Sequence, residues 1–419
     1  MNLETGLQCR IVRGADEVGG SCVELEADGR RLLVDLGSPL IDDGSSLPDV
    51  QGLREPAADL LGVVISHSHP DHWGRLCEAG QHLRVFASEA TAALWDVAET
   101  FAARPKPPQS DIRTFRPGEE LSIGPFRLLP IAVDHSAADG HALRIEAGGR
   151  SLLYTGDFRD HGRRPQRTAG LFAAAAEVDV VLCEGTVVGR TRNSQSARSE
   201  VDVGRRLWAI FRETEGLVML WASGQNIDRL ATAADMAVAT DRRLLIDAYT
   251  AEAARAVGCR ELKPDGDRVA LFVPLHQRRR LARLGDRARP TLDRLRANWR
   301  FRVWSEDLAS VADESVLLTR PSMLDELVKL GCLNNAAWVT SLWSGYIARE
   351  PQLSPRLADL GVATYTAHCS GHADVATLRR LIEESGSAMV IPMHTARPDM
   401  VAALSERVIV KPNGECWEV

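Results

Sequence analysis

The hexapeptide His67-Ser68-His69-Pro70-Asp71-His72 gathers three of the chain's eleven histidines and an aspartate. Imidazole nitrogens and carboxylate oxygens are the donors that zinc and similar divalent ions take. His67 and His69 can face one way while Asp71 and His72 face another, so one tight loop can serve two ions. Two ions roughly 3.5–4 Å apart polarise a phosphoryl oxygen and hold a hydroxide between them, which is hydrolytic chemistry. The plain alternative is a polar loop with surface histidines, and the density of donors weighs against it.

Five further stretches put a histidine or an acid where an apolar run ends. Phe126-Arg127-Leu128-Leu129-Pro130-Ile131 leads to His135, and Ser151-Leu152-Leu153-Tyr154 leads to Thr155-Gly156-Asp157. Val178-Asp179-Val180-Val181-Leu182-Cys183 ends in Glu184, followed by Gly185-Thr186. Val362-Ala363-Thr364-Tyr365-Thr366-Ala367 runs into His368-Cys369-Ser370-Gly371-His372, and Met389-Val390-Ile391-Pro392-Met393 into His394. By itself His135 reads equally well as a ligand or as a core or surface histidine. His141, inside a strand-like run, is expected to pack, and His161, in a loop, to face solvent. Asp35 closes an alternating run ahead of Leu36-Gly37, where a turn residue is the plain reading.

Such residues meet only if strands end side by side. The run 60–65 before the hexapeptide is short, apolar and partly β-branched, as a buried strand is. Upstream, alternating runs at 22–26 and 31–35 flank Ala27-Asp28-Gly29-Arg30, a hairpin signal. Residues 88–103 carry Ala92, Leu94, Trp95, Ala98 and Phe101 in a helical pattern until Arg104-Pro105-Lys106-Pro107-Pro108 breaks it. From about 195 to 355, helical stretches (199–214, 226–239) alternate with apolar runs at 217–221, 243–247 and 315–319. That alternation predicts a parallel sheet, and the chain as a whole reads as α/β.

The hexapeptide resembles the His-x-His-x-Asp-His signature of the metallo-β-lactamase superfamily, and His135 and Thr155-Gly156-Asp157 fit its later motifs. The resemblance implies an αββα sandwich with two divalent ions, zinc favoured by the histidine-rich set and manganese the alternative. It implies one site of His67, His69 and His135, a second of Asp71, His72 and His394, and Asp157 bridging them. Asp35 would then orient the loop by hydrogen bonds.

Glu184-Gly185-Thr186 with Ser199-Glu200, the stretch 222–229, the His-x-Ser-Gly-His at 368–372, and His394 resemble the β-CASP subgroup, in its ribonuclease J-like form. That implies an α/β β-CASP domain inserted in the sandwich, with residues 1–194 and 359–419 forming the first domain and 195–358 the insert. It implies a nuclease in which Asp71, Glu184 and His372 are catalytic, with His372 as general acid against a metal-bridged hydroxide. His368 and Ser370 would contact substrate, and the backbone amides at 222–229 would meet a phosphate. A histidine at 394 accompanies RNA-processing members, so single-stranded RNA is the expected substrate. The usual His-Gly-Glu is His394-Thr395-Ala396 here, which leaves the shape of that loop open. A small-molecule metallo-hydrolase of lactonase or thioesterase type, or a binding protein with a degenerate site, would use the same scaffold. The first leaves Glu184, His372 and the insert unexplained, and the second is opposed by a full set of ligands.

The 419 residues, 45% of them apolar, allow two or three domains. No run reaches the roughly 18 apolar residues that cross a bilayer, so no membrane partner is expected. Met1-Asn2-Leu3-Glu4 opens no secretory signal, and eight scattered cysteines without a Cys-x-x-Cys suggest reduced thiols in the cytoplasm. A net charge of −7 does not mark a nucleic-acid binder, but ten arginines crowd residues 276–302 beside Trp299, Phe301 and Trp304. That run reads either as a solvated basic helix or as a nucleic-acid contact.

Overall fold

The computed structural model describes residues 6–40, 44–102, 104–190, 197–386 and 388–419. The four N-terminal residues weighed above and the expected boundary at 194/195 lie outside them.

Strands β1 (Gln8–Arg13), β2 (Cys22–Ala27), β3 (Arg30–Val34), β4 (Leu60–Val64), β5 (Val85–Ser88) and β6 (Ile112–Phe115) lie in that order in a first sheet. β2 and β3 turn at Asp28-Gly29, both at positive φ (49° and 66°), the backbone that an Asp-Gly hairpin turn needs. A second sheet takes β7 (Leu121–Ile123), β8 (Phe126–Ala132), β9 (His141–Ala147), β10 (Arg150–Tyr154) and β11 (Val180–Glu184).

The third sheet is parallel throughout, as the alternation predicted, in the order Val269–Leu271, Arg243–Ile246, Ser315–Thr319, Val218–Trp221, Ala337–Thr340, Ala363–Thr366. Its strands are β12 (Val218–Trp221), β13 (Arg243–Ile246), β14 (Val269–Leu271), β15 (Ser315–Thr319), β16 (Ala337–Thr340) and β17 (Ala363–Thr366). The chain then returns to both earlier sheets: β18 (Met389–Met393) pairs with β11, and β19 (Cys416–Glu418) with β1.

The first two sheets face each other across Ile11, Val23, Leu32 and Val64 on one side and Leu128, Leu143, Leu152, Leu182 and Ile391 on the other. Their outer faces are covered in turn. Leu33, Val63 and Val85 pack against Trp73, Leu76 and Trp95, while Leu153, Val181 and Val390 pack against Leu171, Phe172, Leu378 and Leu381. Helix, sheet, sheet, helix is the layering of the αββα metallo-β-lactamase sandwich, and the third sheet with its own helices is the additional domain. No helix among the described residues is long and apolar enough to cross a membrane.

The helix Glu89–Ala102 carries two apolar stripes, which explains its crowded pattern. Trp95 turns inward to Trp73, with ring centroids 5.3 Å apart, while Leu94, Val97 and Phe101 join the core of the third sheet. A buried ion network makes the other junction. Glu200, which opens the helix Glu200–Glu213, accepts from Arg229 Nε and Nη2 at 2.6 and 2.9 Å. Arg159 donates to Asp134 at 2.9 Å and lies 3.6 Å from Glu200.

Burial alone would raise the Glu200 carboxyl, but Arg229 and Arg159 hold it down to about 2. A depressed folded value gives stability that is full above the unfolded value of about 4.3 and lost as pH falls towards 2. Glu200→Gln is therefore expected to cost on the order of 3 kcal/mol at neutral pH and to flatten the loss of stability between about pH 5 and 2. Denaturant unfolding of the metal-free protein across that range reads both.

Candidate metal centre

β4 ends at Val64, and the chain turns through Ile65 and Ser66 into the hexapeptide, whose Pro70 opens the short helix Pro70–Trp73. The strand ends bring the donors together. One ligand atom each from His67, His69, His135 and Asp157 lies within 4.8 Å of the others, and the same holds for Asp71, His72, Asp157 and His394. Asp157 belongs to both groups. Its Oδ2 lies 3.8 Å from His67 Nε2, 3.8 Å from His135 Nε2 and 3.3 Å from His72 Nε2, and its Oδ1 lies 3.4 Å from His394 Nδ1. His394 Nε2 is 3.4 Å from Asp71 Oδ2, and His69 Nδ1 is 3.2 Å from His135 Nε2.

Hydrogen bonds behind the rings fix which nitrogen faces inward. Asp35, buried and at a φ of 59°, accepts from Ser66 N (2.7 Å), the Ser66 hydroxyl (2.8 Å), His72 Nδ1–H (2.7 Å) and the Tyr154 hydroxyl (2.7 Å). Having given its proton to Asp35, the Ser66 hydroxyl can only accept from His67 Nδ1–H, at 3.0 Å. His135 Nδ1–H donates to the Gly371 carbonyl at 2.6 Å. The Thr186 hydroxyl, 2.8 Å from His394 Nδ1 and 3.2 Å from the His394 carbonyl, holds the last ring. Lone pairs at Nε2 of the His67, His72 and His135 rings are thereby directed to the centre, a support that metal-bound histidines commonly have, while His394 turns Nδ1 to Asp157 and Nε2 to Asp71.

These residues fit a divalent cation. His67 Nε2, His72 Nε2 and both Asp157 oxygens are buried without a hydrogen-bond partner, and each such atom costs roughly 1–3 kcal/mol unless something satisfies it. Burial and neighbouring histidines hold His67 well below the usual imidazole range, burial does the same to His135, and burial lowers His69. Neutral imidazole is the ligating form. His72 goes the other way: against burial, Asp157 and Asp35 raise it. Asp71 and Asp157 are pulled below the carboxylate range, against burial, by the histidines around them.

His372 stands beside this centre, with Nδ1 3.3 Å from Glu184 Oε1 and 3.7 Å from Asp157 Oδ2. Burial opposes its protonation, but Glu184 and Asp157 raise it. Glu184 is itself fixed by the backbone N–H groups of Phe158, Thr186 and Ala373 at 3.0–3.3 Å. His368 and Ser370 are partly buried and engage the chain's own groups: His368 Nδ1 lies 3.4 Å from Arg229 Nη1, and Ser370 Oγ accepts from His372 N at 3.1 Å. Burial and Arg229 push His368 down to about 3.

His141 packs as expected, buried with Nδ1 3.2 Å from the Ser66 carbonyl. His161 does not face solvent. Its side chain is 11% exposed and Nε2–H donates to the Ser370 carbonyl at 3.1 Å, because the loop that carries it tucks under residues 368–372. The turn residues 222–226 lead into the helix Ile227–Val238, whose first turn is capped by the Asn226 side chain accepting from Arg229 N. At 394 the backbone takes a φ of 49° with its N–H on the Gly14 carbonyl at 2.6 Å, and Thr395 is buried. Sequence reasoning missed Thr186, Tyr154 and Ser66. It also missed Asp139, which braces Ser68 and Thr91 at 3.0 and 2.7 Å. Only Thr186 carried a signal, being two residues beyond a strand-end acid.

Gly37 lies so close under the loop that a Cβ there would run into the Asp71 carbonyl. Gly37→Ala must push the loop away from Ser21, whose N–H holds that carbonyl at 3.1 Å. A loss of about 1–3 kcal/mol is expected, with weaker metal retention, read by melting with and without added metal.

Residues 30–212 match the family model for a beta-lactamase superfamily domain. Ribonuclease J of Mycobacterium tuberculosis is 29% identical over 255 residues, 57% of this chain and 44% of the relative. Ribonuclease J of Sinorhizobium meliloti is 29% identical over 208 residues, 48% of this chain and 36% of the relative. The match thus spans less than half the length of these curated relatives. A crystal structure of a protein of unknown function from Enterococcus faecalis V583 superposes with a TM-score of 0.79 at 15% identity, covering 99% of this chain and 100% of that one. That likeness is one of fold.

Proposed function

We propose that this chain, which carries a beta-lactamase superfamily domain and is ribonuclease J-like in sequence, is a metal-dependent phosphodiesterase that cuts single-stranded RNA. The observation that carries the reading is the sharing of Asp157 by two donor groups, with the His372–Glu184 pair beside them. A generic hydrolase has no use for that pair. Two divalent ions, held by His67, His69 and His135 and by Asp71, His72 and His394 with Asp157 common to both, would polarise the phosphoryl oxygen and activate water. The histidine-rich set favours zinc, with manganese the alternative.

The chain's own residues supply the rest. Asp157 offsets positive charge between the two groups, and Asp71 faces the second of them. His372 donates a proton to the departing sugar oxygen, and Glu184 orients its ring and favours the charged form. Asp35 keeps His72 and, through Ser66, His67 in the ligating tautomer. His368 and Ser370 meet the substrate beside His372, and their partial exposure supports this. We draw the insert's far boundary after β17, not at 358, because β17 pairs with β16. All eight cysteines are free, which favours a reducing compartment, and we propose the cytoplasm.

The test is incubation of zinc- or manganese-loaded protein with end-labelled single-stranded RNA and DNA, beside a panel of lactones and thioesters. RNA cleavage that depends on the metal is expected. Turnover of a lactone or thioester with RNA left intact would overturn the reading.

A further inference from the structure

We infer that residues 275–304 form a platform on the insert that stacks and holds single-stranded RNA at a distance from the metal centre, gripping the strand several nucleotides away from the bond being cut. This rests on the RNA reading above.

The segment folds as the helix Leu275–Leu284, the helix Arg289–Arg296 and a short turn at Trp299–Phe301. Leu281, Ala288 and Leu295 are buried and tie it to the core of the third sheet. The arginines then divide into two sets. Arg278 reaches Ser305 and Glu326, Arg294 binds Glu252 at 2.7 Å, and Arg296 binds Asp293 at 3.0 Å. Arg280 caps the far end of the helix Glu89–Ala102 by donating to the carbonyls of Glu99 and Thr100 at 2.6 and 2.5 Å. These four already have partners, the Arg296 pair being an exposed one.

Arg279, Arg283, Arg287 and Arg289 are exposed and have no ion pair or hydrogen bond among the described residues. A merely solvated basic helix usually carries acids at i±4 that pair with its cations; here no acid stands four residues from Arg279, Arg283 or Arg287, and Asp293, four residues after Arg289, pairs with Arg296.

The aromatic side chains add a second, independent observation. Trp299 and Trp304 are 38% and 43% exposed. Arg302 lies between them, its guanidinium carbon 3.8 Å from the Trp304 ring and 6.0 Å from the Trp299 ring, and Arg300 lies 4.6 Å from the Phe301 ring. Arg302 Nε is buried with no hydrogen-bond partner. Exposed indole faces alternating with cations are what a single strand requires, since every base has a face to stack and every nucleotide a phosphate. A lipid surface would want a continuous apolar face, which this segment lacks.

The location sets the consequence. Helix Glu89–Ala102 starts directly after β5, which runs parallel to β4 and so ends at the same edge of the sheet as the metal loop. Its 14 residues span about 21 Å, and Arg280 grips the distant end. A substrate must be long to touch both places.

The experiment compares the wild type with Arg279→Gln/Arg283→Gln/Arg287→Gln and with Trp299→Leu/Trp304→Leu. Binding of RNAs of about three and about twenty nucleotides is measured by anisotropy across a salt series. Circular dichroism melting confirms that each variant is folded. The wild type should bind the long RNA far more tightly than the short one, and RNA should quench its tryptophan fluorescence.

The arginine variant should lose about 2 in log–log salt slope on the long RNA, roughly 0.7 for each phosphate contact. The tryptophan variant should bind the long RNA about 10-fold more weakly and lose most of the quenching. An unchanged slope and an unchanged preference for length in folded variants overturn the platform while leaving RNA cleavage standing. Loss of binding to phosphatidylserine vesicles in place of RNA overturns it also. If the wild type neither binds nor cuts RNA, the nuclease reading fails first and the platform with it.

Discussion

Replacing His372 by alanine is expected to leave bound metal at the wild-type level while lowering RNA cleavage by about 10²–10⁴. The geometry makes this a sharp distinction. His372 falls with Asp157, Glu184 and His394 in a third group of converging donors, so a ligand role and a proton-donor role both have to be considered. Glu184 supports the proton-donor role proposed above. Its Oε1 faces His372 Nδ1 at 3.3 Å, and three backbone N–H groups already hold its carboxylate, an arrangement that would favour a protonated His372 ring. An activated diester such as bis-nitrophenyl phosphate has a leaving group that needs no proton, and the variant should lose much less activity on it than on RNA. Equal losses on the two substrates would remove His372 from the acid role, and loss of metal would make it a ligand.

Asp157→Asn is expected to have the largest effect of any single change, abolishing hydrolysis and depleting metal from both donor groups. Asp157 is the one residue common to them, and neither of its buried oxygens has a hydrogen-bond partner. The amide keeps the shape but brings N–H donors to a point where five imidazoles converge, and it removes the negative charge that would offset two cations. Asp35→Asn makes the comparison. It loses an acceptor behind the rings and not a donor to the metal, so metal affinity should fall by only about 10–100-fold. Metal content by mass spectrometry after dialysis against graded chelator reads both variants. Wild-type metal content in Asp157→Asn would contradict its place as the shared ligand.

The residues that meet at Asp157 were found in the sequence because each follows an apolar run, and strands of one sandwich end together. The hexapeptide was legible through density alone. What stayed hidden is held by contacts far apart along the chain. Nothing near Tyr154 announces that its hydroxyl reaches Asp35, 119 residues away, and nothing near Gly371 announces that its carbonyl holds His135. His161 was misjudged for the same reason, since its burial is made by residues 368–372. Short strands such as β7 and β14 have three residues each, too few to show a period. The helix Glu89–Ala102 was legible as a helix, but its second apolar stripe has meaning only once the insert lies against it.

The return of β18 and β19 to the first two sheets has a consequence for how the protein is made. Asp71 and His394 stand 323 residues apart, and a ribosome adding about 5–20 residues per second needs roughly a quarter of a minute to a minute to separate them. From the time β11 is made until residues 389–418 follow, the nascent chain has β11 and β1 without their last partners, and the second donor group lacks the His394 imidazole. The metal-dependent nuclease proposed above, assembled in this way, would stay harmless for as long as that imidazole is missing. Its second donor group can close only after residue 394 has been made and β18 has paired with β11.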